Sequence, residues 1–287
     1  FEDEPYEYPD GSPVNNATRS YNGTTTIRTA IQNSINVVAV KCLEKVTPEL
    51  GLKYLDNFGF TTLAHGTEAD KDANGNVWSD ANLATALGGI TRGVTNVELC
   101  ASYAAIANNG NYIKPIYYTK ILDHNGNVLI ENTAAERSVI KESTAFLLTS
   151  AMEDVVKQGT GTACQLDNMP VAGKTGTSED WNDICFVGLT EDFVSGVWIG
   201  YDTKNELNHG LSSAGVWYNI IGEYADNIES DNSFPECDTV ISAPMCSSTG
   251  LIATDYCPKG ITGYWKSSNA PYCTNHSSAP KKEEEKT

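Results

Sequence analysis

The chain has 287 residues, with 37 Asp and Glu against 19 Lys and Arg and a formal net charge of -18. Such an acidic chain lacks the basic surface that duplex DNA or RNA requires, so we expect no nucleic-acid partner. No run approaches the roughly 18 apolar residues of a membrane span, and the first residues, rich in Glu, Asp and Pro, are unlike a signal peptide. Because the chain does not begin with Met, we expect it to be a piece of a longer protein.

The first half of the chain is predicted to be mostly helical. Residues 1–23 show no hydrophobic periodicity and are predicted to be an extended lead-in. A short helix is predicted over Thr26–Asn33, and a second follows over Ile35–Val46, where apolar residues recur at spacings near 3.6. Further helices are predicted over Glu49–Phe58 and Asn96–Ala107, each followed by a glycine within three residues.

The second half predicts strands between helices. Asn125-Gly126 is a strong hairpin signal and separates two alternating runs, Ile116–Leu122 and Val128–Ile130. A long helix is predicted over Glu142–Lys157. Two strand-like runs and a closing helix follow, at Phe186–Leu189, Val194–Gly200 and Ala214–Ile228. This order predicts an α/β (α+β layered) fold in which a helical subdomain lies beside an antiparallel sheet.

Composition suggests how the chain divides into domains. We expect one folded domain over residues 24–235, followed by a Cys-containing appendage over residues 236–276. Residues 277–287 are rich in Lys and Glu and are predicted to be a disordered tail.

Two short polar clusters are candidates for chemistry. The first is Lys174-Thr175-Gly176-Thr177, which we expect on a strand facing a cleft. There the lysine would attract an anion, the hydroxyls would donate hydrogen bonds, and the glycine would let a substrate backbone approach closely. The second, Ser34-Ile35-Asn36, lies between two predicted helices. Its polar side chains either face a cleft or simply cap a helix.

Together with their surroundings, the two clusters resemble the penicillin-binding protein transpeptidases, most closely the class A, bifunctional type. Ala30–Val40 is similar to the Ser-x-Asn segment of that family, and Ala172–Thr177 to its Lys-Thr-Gly strand. Similar connecting segments and a similar following strand are found at Leu87–Gly89, Val94–Glu98, Ser102–Gly110, Gln158–Ala163 and Gly196–Asp202. The resemblance runs from about Tyr21 to Asp202 and implies a penicillin-binding/serine β-lactamase-like fold.

One motif of the family is missing. Its nucleophilic serine, in a Ser-x-x-Lys helix, precedes the Ser-x-Asn segment, and no such motif precedes Ser34 here. Ser138-Val139-Ile140-Lys141 has this spacing but falls between the second and third motifs, so we interpret it as the start of a core helix. We therefore expect the C-terminal portion of a transpeptidase domain, incomplete at its N-terminus and inactive by itself.

The resemblance implies a role for each residue of the two clusters. The lysine of the missing motif would take the proton of the nucleophile. Ser34 and Lys174 would be catalytic and would shuttle that proton to the leaving amine. Asn36 would hydrogen-bond the amide of the donor stem peptide. Thr175, Gly176 and Thr177 would bind substrate. The two threonine hydroxyls would hold the terminal carboxylate, and the Thr177 N–H would form half of an oxyanion hole.

The implied function is peptidoglycan D,D-transpeptidation at the extracytoplasmic face of the bacterial cell membrane. Stem peptides and β-lactams are the expected partners, no cofactor is expected, and membrane contact is expected only through an N-terminal anchor outside this chain. Two alternatives stay open. One is a D,D-carboxypeptidase or serine β-lactamase-like hydrolase that uses water as acceptor, and the other is a non-catalytic module that binds cell-wall peptides.

The appendage contains four cysteines, which are Cys237, Cys246, Cys257 and Cys273. The last three, with His276, admit a Cys3His zinc site, because Cys273-x-x-His276 has ligand-like spacing. The other intervals are irregular and no Cys-x-x-Cys pair is present. We therefore expect no metal and favour one or two disulfides in an oxidising exterior, with free thiols as the remaining alternative.

Overall fold

The computed structural model describes residues 1–228 and 233–276, and these residues form two compact units that divide between Pro235 and Glu236. The helices are α1 Ile27–Asn33, α2 Asn36–Val46, α3 Pro48–Asn57, α4 Asn96–Ala107, α5 Glu142–Gln158 and α6 Ser213–Ala225. The strands are β1 Glu2–Asp3, β2 Tyr6–Glu7, β3 Pro13–Val14, β4 Gly23–Thr24, β5 Asn111–Ile113, β6 Lys120–Leu122, β7 Val128–Glu131, β8 Glu136–Ser138, β9 Ala172–Thr177, β10 Asp183–Leu189, β11 Val194–Gly200, β12 Val240–Cys246 and β13 Lys259–Lys266. Among the described residues, none of the helices is long and apolar enough to span a bilayer. The predicted tail, 277–287, lies outside the described residues.

A three-stranded antiparallel sheet in the order β11-β10-β9 forms the centre of the first unit. Helices α4 and α5 pack on one of its faces, where Met152 of α5 joins Ala172 and Leu189 in a core cluster. Helix α6 packs on the other face, where the Trp217 ring meets Phe186 edge-on at a centroid distance of 5.4 Å. The sheet is therefore covered by helices on both faces, and β9 lies at its edge.

The helices begin where local capping favours them. Thr95 and Glu98 form a capping box at the start of α4, in which each side chain accepts a hydrogen bond from the other residue's backbone N–H. Pro48 occupies the first turn of α3, a position that tolerates its missing N–H. The predicted hairpin around Asn125-Gly126 is present as the pair β6 and β7.

Residues 1–23, predicted to be an extended lead-in, form together with Thr24 two short antiparallel ladders, β1 with β4 and β2 with β3. Val14 is buried against Val37 and Val40 of α2. Asp3 is also buried, and its carboxylate accepts hydrogen bonds from the side chains of Asn16 and Asn22 at 2.8 Å. This segment therefore contributes to the core of the first unit.

The second unit is built on the antiparallel pair of β12 and β13. Its core cluster consists of Cys246, Cys257 and Cys273, with Leu251 and Ala253 packed around them. All eight cysteines of the chain are free thiols, so the favoured disulfides are not formed in this structure.

Candidate active site at the junction of α1, α5 and β9

Ser34 ends helix α1 in a left-handed backbone conformation, with φ 55° and ψ 51°. The Ile35 N–H donates to the carbonyl of Ala30 at 2.9 Å, and the Ser34 N–H donates to the carbonyl of Ile31 at 3.3 Å. These bonds satisfy the last carbonyls of the helix and turn the chain sharply into α2. The turn leaves the Ser34 side chain projecting from the junction of the two helices.

Lys174 lies in the middle of the edge strand β9, opposite Val187 of β10. Because side chains alternate along a strand, Lys174 and Gly176 share one face, whereas Thr175 and Thr177 share the other. A Cβ added to Gly176 would lie 2.6 Å from the Sγ of Cys185, so no larger residue fits there without a shift of the thiol.

The two predicted catalytic side chains are in contact. The Nζ of Lys174 donates a hydrogen bond to the Oγ of Ser34 at 2.8 Å and another to the carbonyl of Thr175 at 3.0 Å. Burial lowers the pKa of Lys174 to about 8, and a thiolate at Cys185 would act in the opposite direction. An amine with this pKa exchanges protons readily near neutral pH, which suits general acid–base chemistry.

An ion pair that sequence reasoning missed fixes α1 against α5. The Nε of Arg28 donates to a carboxylate oxygen of Asp154, and its terminal nitrogens donate to the Oγ and the carbonyl of Ser150 at 3.0 and 2.8 Å. The Asp154 side chain is only 11% exposed. The pair is 126 positions apart in sequence, so no local pattern indicates it.

A second contact joins the end of α5 to the end of α1. Gly159 approaches α1 so closely that a Cβ there would lie 2.3 Å from the carbonyl oxygen of Gln32. The Thr160 N–H donates to the same carbonyl at 3.3 Å, and the Thr160 hydroxyl is 2.7 Å from that of Thr175. The loop after α5 therefore links the α1 turn to strand β9.

The remaining predicted residues lie on these same segments. The side-chain amide of Asn36, at the start of α2, donates to the carbonyl of Asn15 at 2.7 Å. Thr177, at the end of β9, is exposed. The residues with Ser-x-x-Lys spacing lie on other segments. Ser138 is the last residue of strand β8, and Lys141 immediately precedes helix α5.

A family model described as the penicillin-binding protein transpeptidase domain matches residues 1–209. The chain belongs to this family. It is 33% identical over 255 residues to penicillin-binding protein 1A of Clostridium novyi (strain NT), covering 86% of the chain and 28% of that relative. It is 34% identical over 211 residues to penicillin-binding protein 4 of Bacillus subtilis (strain 168), covering 72% of the chain and 32% of that relative. The resemblance predicted from the motifs is confirmed.

Solved structures confirm the predicted fold of this chain. Penicillin-binding protein 1A from Haemophilus influenzae matches with a TM-score of 0.75 at 20% identity, over 94% of this chain and 45% of that one. PonA1 from Mycobacterium tuberculosis, solved in complex with penicillin V, matches with a TM-score of 0.67 at 22% identity, over 81% and 64% of the two chains. The present chain spans about a third or less of the length of the two curated relatives named above.

The chain also has a separate groove of about 550 Å³ between α4 and the turn that joins β10 to β11. Its lining includes Cys100, Ala104 and Phe193. None of the six predicted site residues lines this groove.

Proposed function

We propose that this chain supplies the proton-shuttle and substrate-binding side of a peptidoglycan D,D-transpeptidase. The observation that supports it best is the 2.8 Å hydrogen bond between the Lys174 amine and the Ser34 hydroxyl. A serine nucleophile needs a base to take its proton and an acid to protonate the leaving group, and paired amine and hydroxyl groups meet both needs.

The nucleophilic serine and its lysine partner belong to a segment outside this chain. The serine oxygen attacks the carbonyl carbon of the penultimate D-Ala, and the bond to the nitrogen of the terminal D-Ala breaks. The proton of the nucleophile passes to its lysine partner and then through Ser34 and Lys174 to the departing amine. In the second half-reaction an acceptor amine attacks the acyl ester, and its proton returns to the serine oxygen by the same route.

Strand β9 is the proposed substrate platform. It lies at the edge of the sheet, and an edge strand offers backbone hydrogen bonds to an extended peptide. In this proposal the hydroxyls of Thr175 and Thr177 hold the terminal carboxylate, Gly176 permits close approach, and Asn36 hydrogen-bonds the donor amide. The Thr177 N–H is half of the oxyanion hole. A missing oxyanion donor typically weakens transition-state binding by about 3–4 kcal/mol, so the isolated chain is inactive.

The proposal places this chain at the extracytoplasmic face of the bacterial cell membrane, anchored through a segment outside it. A β-lactam would occupy the same site as the stem peptide, because its strained amide and carboxylate mimic the D-Ala-D-Ala end. The solved complex of PonA1 with penicillin V, which shares the fold, agrees with β-lactams as ligands.

The test is acylation of the full-length protein by a fluorescent penicillin, followed as covalent label against time. Ser34→Ala and Lys174→Ala are expected to slow labelling by about 10²–10⁴-fold, the range for lost acid–base catalysis. Circular dichroism would establish that both variants remain folded.

Ser138→Ala and Lys141→Ala are the matched controls, because they alter the other Ser-x-x-Lys sequence of the chain and leave the proposed site intact. Both are expected to label at the wild-type rate. Loss of labelling in Ser138→Ala would place the nucleophile inside this chain and overturn the division of roles. Wild-type rates in Ser34→Ala and Lys174→Ala would refute the shuttle.

A further inference from the structure

Three thiols and one imidazole converge at a single point in the second unit. The Nδ1 of His276 lies 3.6 Å from the Sγ of Cys246 and 3.3 Å from the Sγ of Cys273. With Cys257 included, the four ligand atoms all lie within 4.8 Å of one another. No other set of described His, Cys, Asp and Glu side chains forms such a group.

The spacing of these atoms matches a tetrahedral metal site. With Zn–S bonds of about 2.3 Å and a Zn–N bond of about 2.0 Å, tetrahedral geometry separates two sulfurs by about 3.8 Å and a sulfur from the nitrogen by about 3.5 Å. The two S···N distances, 3.6 and 3.3 Å, fall on either side of the second value. The widest separation, below 4.8 Å, needs a contraction of no more than about 1 Å to meet the first.

The four ligands come from three segments that the fold brings together, with Cys273 and His276 on the last of them. Cys246 is the last residue of β12, and Cys257 lies in the loop before β13. The Cys273 N–H donates to the carbonyl of Ile252 at 2.8 Å, which pins the final segment against that loop. The irregular sequence intervals follow from this arrangement, because no two-cysteine turn supplies a pair of ligands.

Thr254 supports two of the ligands. Its backbone N–H donates to the Sγ of Cys257 at 3.3 Å, a contact that favours a thiolate. Its hydroxyl donates to the carbonyl of His276 at 2.9 Å, which holds the last ligand beside the cluster. Such outer contacts orient metal ligands in known sites.

The small size of the second unit also favours a bound metal. Among its described residues, the buried hydrophobic side chains are four cysteines and one isoleucine, namely Cys237, Cys246, Ile252, Cys257 and Cys273. The described part is about forty residues long, a size at which chains usually need disulfides, a metal or a partner to fold. One disulfide within the cluster would use two thiols and leave the third thiol and the imidazole without a role.

We propose that Cys246, Cys257, Cys273 and His276 bind one Zn²⁺ ion and that this closed Cys3His site holds the second unit together. With three thiolates, one neutral imidazole and the Zn²⁺ ion, the site carries a net charge of −1. All four tetrahedral positions are occupied by protein ligands. The site is therefore structural, with no open position for a substrate. This assignment replaces the disulfides that the sequence favoured.

The test is the zinc content of the full-length protein, purified without chelator and measured by inductively coupled plasma mass spectrometry. We expect one zinc per chain in the wild type and less than a tenth of that in Cys273→Ser and in Cys257→Ser. Cys237→Ser is the matched control, because Cys237 is a buried cysteine of the same unit whose thiol contacts Thr239 at 3.2 Å. It is expected to keep its zinc.

A spectroscopic measurement on the wild type avoids variants that fail to fold. Replacement of zinc by Co²⁺ is expected to give the visible d–d bands of a tetrahedral ion and the near-ultraviolet thiolate-to-cobalt charge-transfer band. Absence of zinc from the wild type, or a mass two hydrogens lower for each disulfide among these cysteines, would overturn the proposal. Equal loss of zinc from Cys237→Ser and Cys273→Ser would also overturn it.

Discussion

The carboxylate of Asp154 in α5 accepts a hydrogen bond from the guanidinium of Arg28 in α1. The same guanidinium bonds Ser150, so α1 is held along one side of α5. Six residues after Arg28, the helix ends at Ser34, whose hydroxyl meets Lys174. The ion pair is therefore a positioning contact for the candidate site, although neither partner touches the proposed reacting atoms.

Removal of the guanidinium is expected to weaken both the fold and the site. In Arg28→Ala the Asp154 carboxylate would stay largely buried without its cation, so the free energy of unfolding should fall by about 3 kcal/mol, the low end for a broken buried pair. Denaturant unfolding of the intact protein measures this change, and the penicillin-labelling rate should fall with it because Ser34 is less firmly held.

Lys157→Ala offers a matched comparison in the same helix. Its amine pairs with Glu153 at 2.8 Å, but its side chain is 59% exposed. Exposed helix pairs contribute only about 0.3–0.5 kcal/mol, so this variant should unfold almost as the wild type does. An equal loss of unfolding free energy in both variants would show that the Arg28–Asp154 pair stabilises the protein no more than an exposed pair does.

The close approach of Gly176 to Cys185 predicts a size-dependent defect. In Gly176→Ala the new methyl group would meet the Cys185 thiol at 2.6 Å unless the thiol moves. Overpacking of this kind typically destabilises by about 1–3 kcal/mol, and β9 would be displaced two residues from Lys174, on the strand face that both share. We expect lower thermal stability together with slower penicillin labelling.

Removal of the thiol on the neighbouring strand β10 should reverse that defect. Cys185→Ala removes the thiol, so the double variant Gly176→Ala/Cys185→Ala is expected to regain stability relative to Gly176→Ala alone. Gly222→Ala is the control glycine, since a Cβ there meets nothing closer than 3.8 Å. It should be neutral or stabilising by about 0.5–1 kcal/mol in the helix. Failure of the double variant to recover would mean that the thiol is not the obstacle.

The hydroxyl contact between Thr160 and Thr175, at 2.7 Å, predicts an effect on ligand binding. Thr160→Val keeps the shape of the side chain and removes its hydroxyl, so the Thr175 hydroxyl loses a partner that orients it. A hydrogen bond of this kind contributes about 1 kcal/mol, which corresponds to a fivefold fall in the second-order rate of penicillin labelling. Thr162→Val, two residues along the same loop, is a comparison that should leave the rate unchanged.

The lowered pKa of Lys174 predicts a pH dependence of stability. Its ordinary value is 10.5, and burial lowers the pKa of Lys174 to about 8 in the folded state. Between these two pH values the unfolded chain holds a proton that the folded chain lacks, so the free energy of unfolding should rise with pH across this window. The difference between the wild type and Lys174→Met, taken from denaturant unfolding at pH 7 to 10.5, isolates this effect. If the difference in unfolding free energy between the two proteins does not change with pH, the pKa of Lys174 is not lowered.

Strongly periodic or capped segments could be predicted from sequence. Helix α4 runs over Asn96–Ala107, the range predicted, because a capping box fixes its start and Asn108-Asn109-Gly110 ends it. The hairpin of β6 and β7 follows from Asn125-Gly126 in the same way. The ladders of residues 1–24 gave no such signal, because strands of two residues are too short to show alternation.

The candidate site could be predicted only in part. The resemblance brought Ser34 and Lys174 together, and their side chains are in hydrogen-bond contact, while their catalytic roles stay predictions. The contacts of Arg28 with α5 and of Thr160 with β9 arise from tertiary packing between distant segments, which no local pattern encodes. Cys246 and Cys257 likewise lie on segments separate from that of Cys273 and His276, so their convergence could not be predicted from spacing.

The left-handed backbone of Ser34 sets two selective pressures against each other at one codon. Glycine adopts this conformation without the penalty of about 1–2 kcal/mol that other residues incur, so a screen for thermal tolerance should enrich Ser34→Gly. A screen for β-lactam capture should deplete the same allele, because it has no hydroxyl to offer Lys174. Directed evolution of this domain for thermal stability is thus expected to remove the Ser34 hydroxyl at the end of α1, and with it the contact to Lys174.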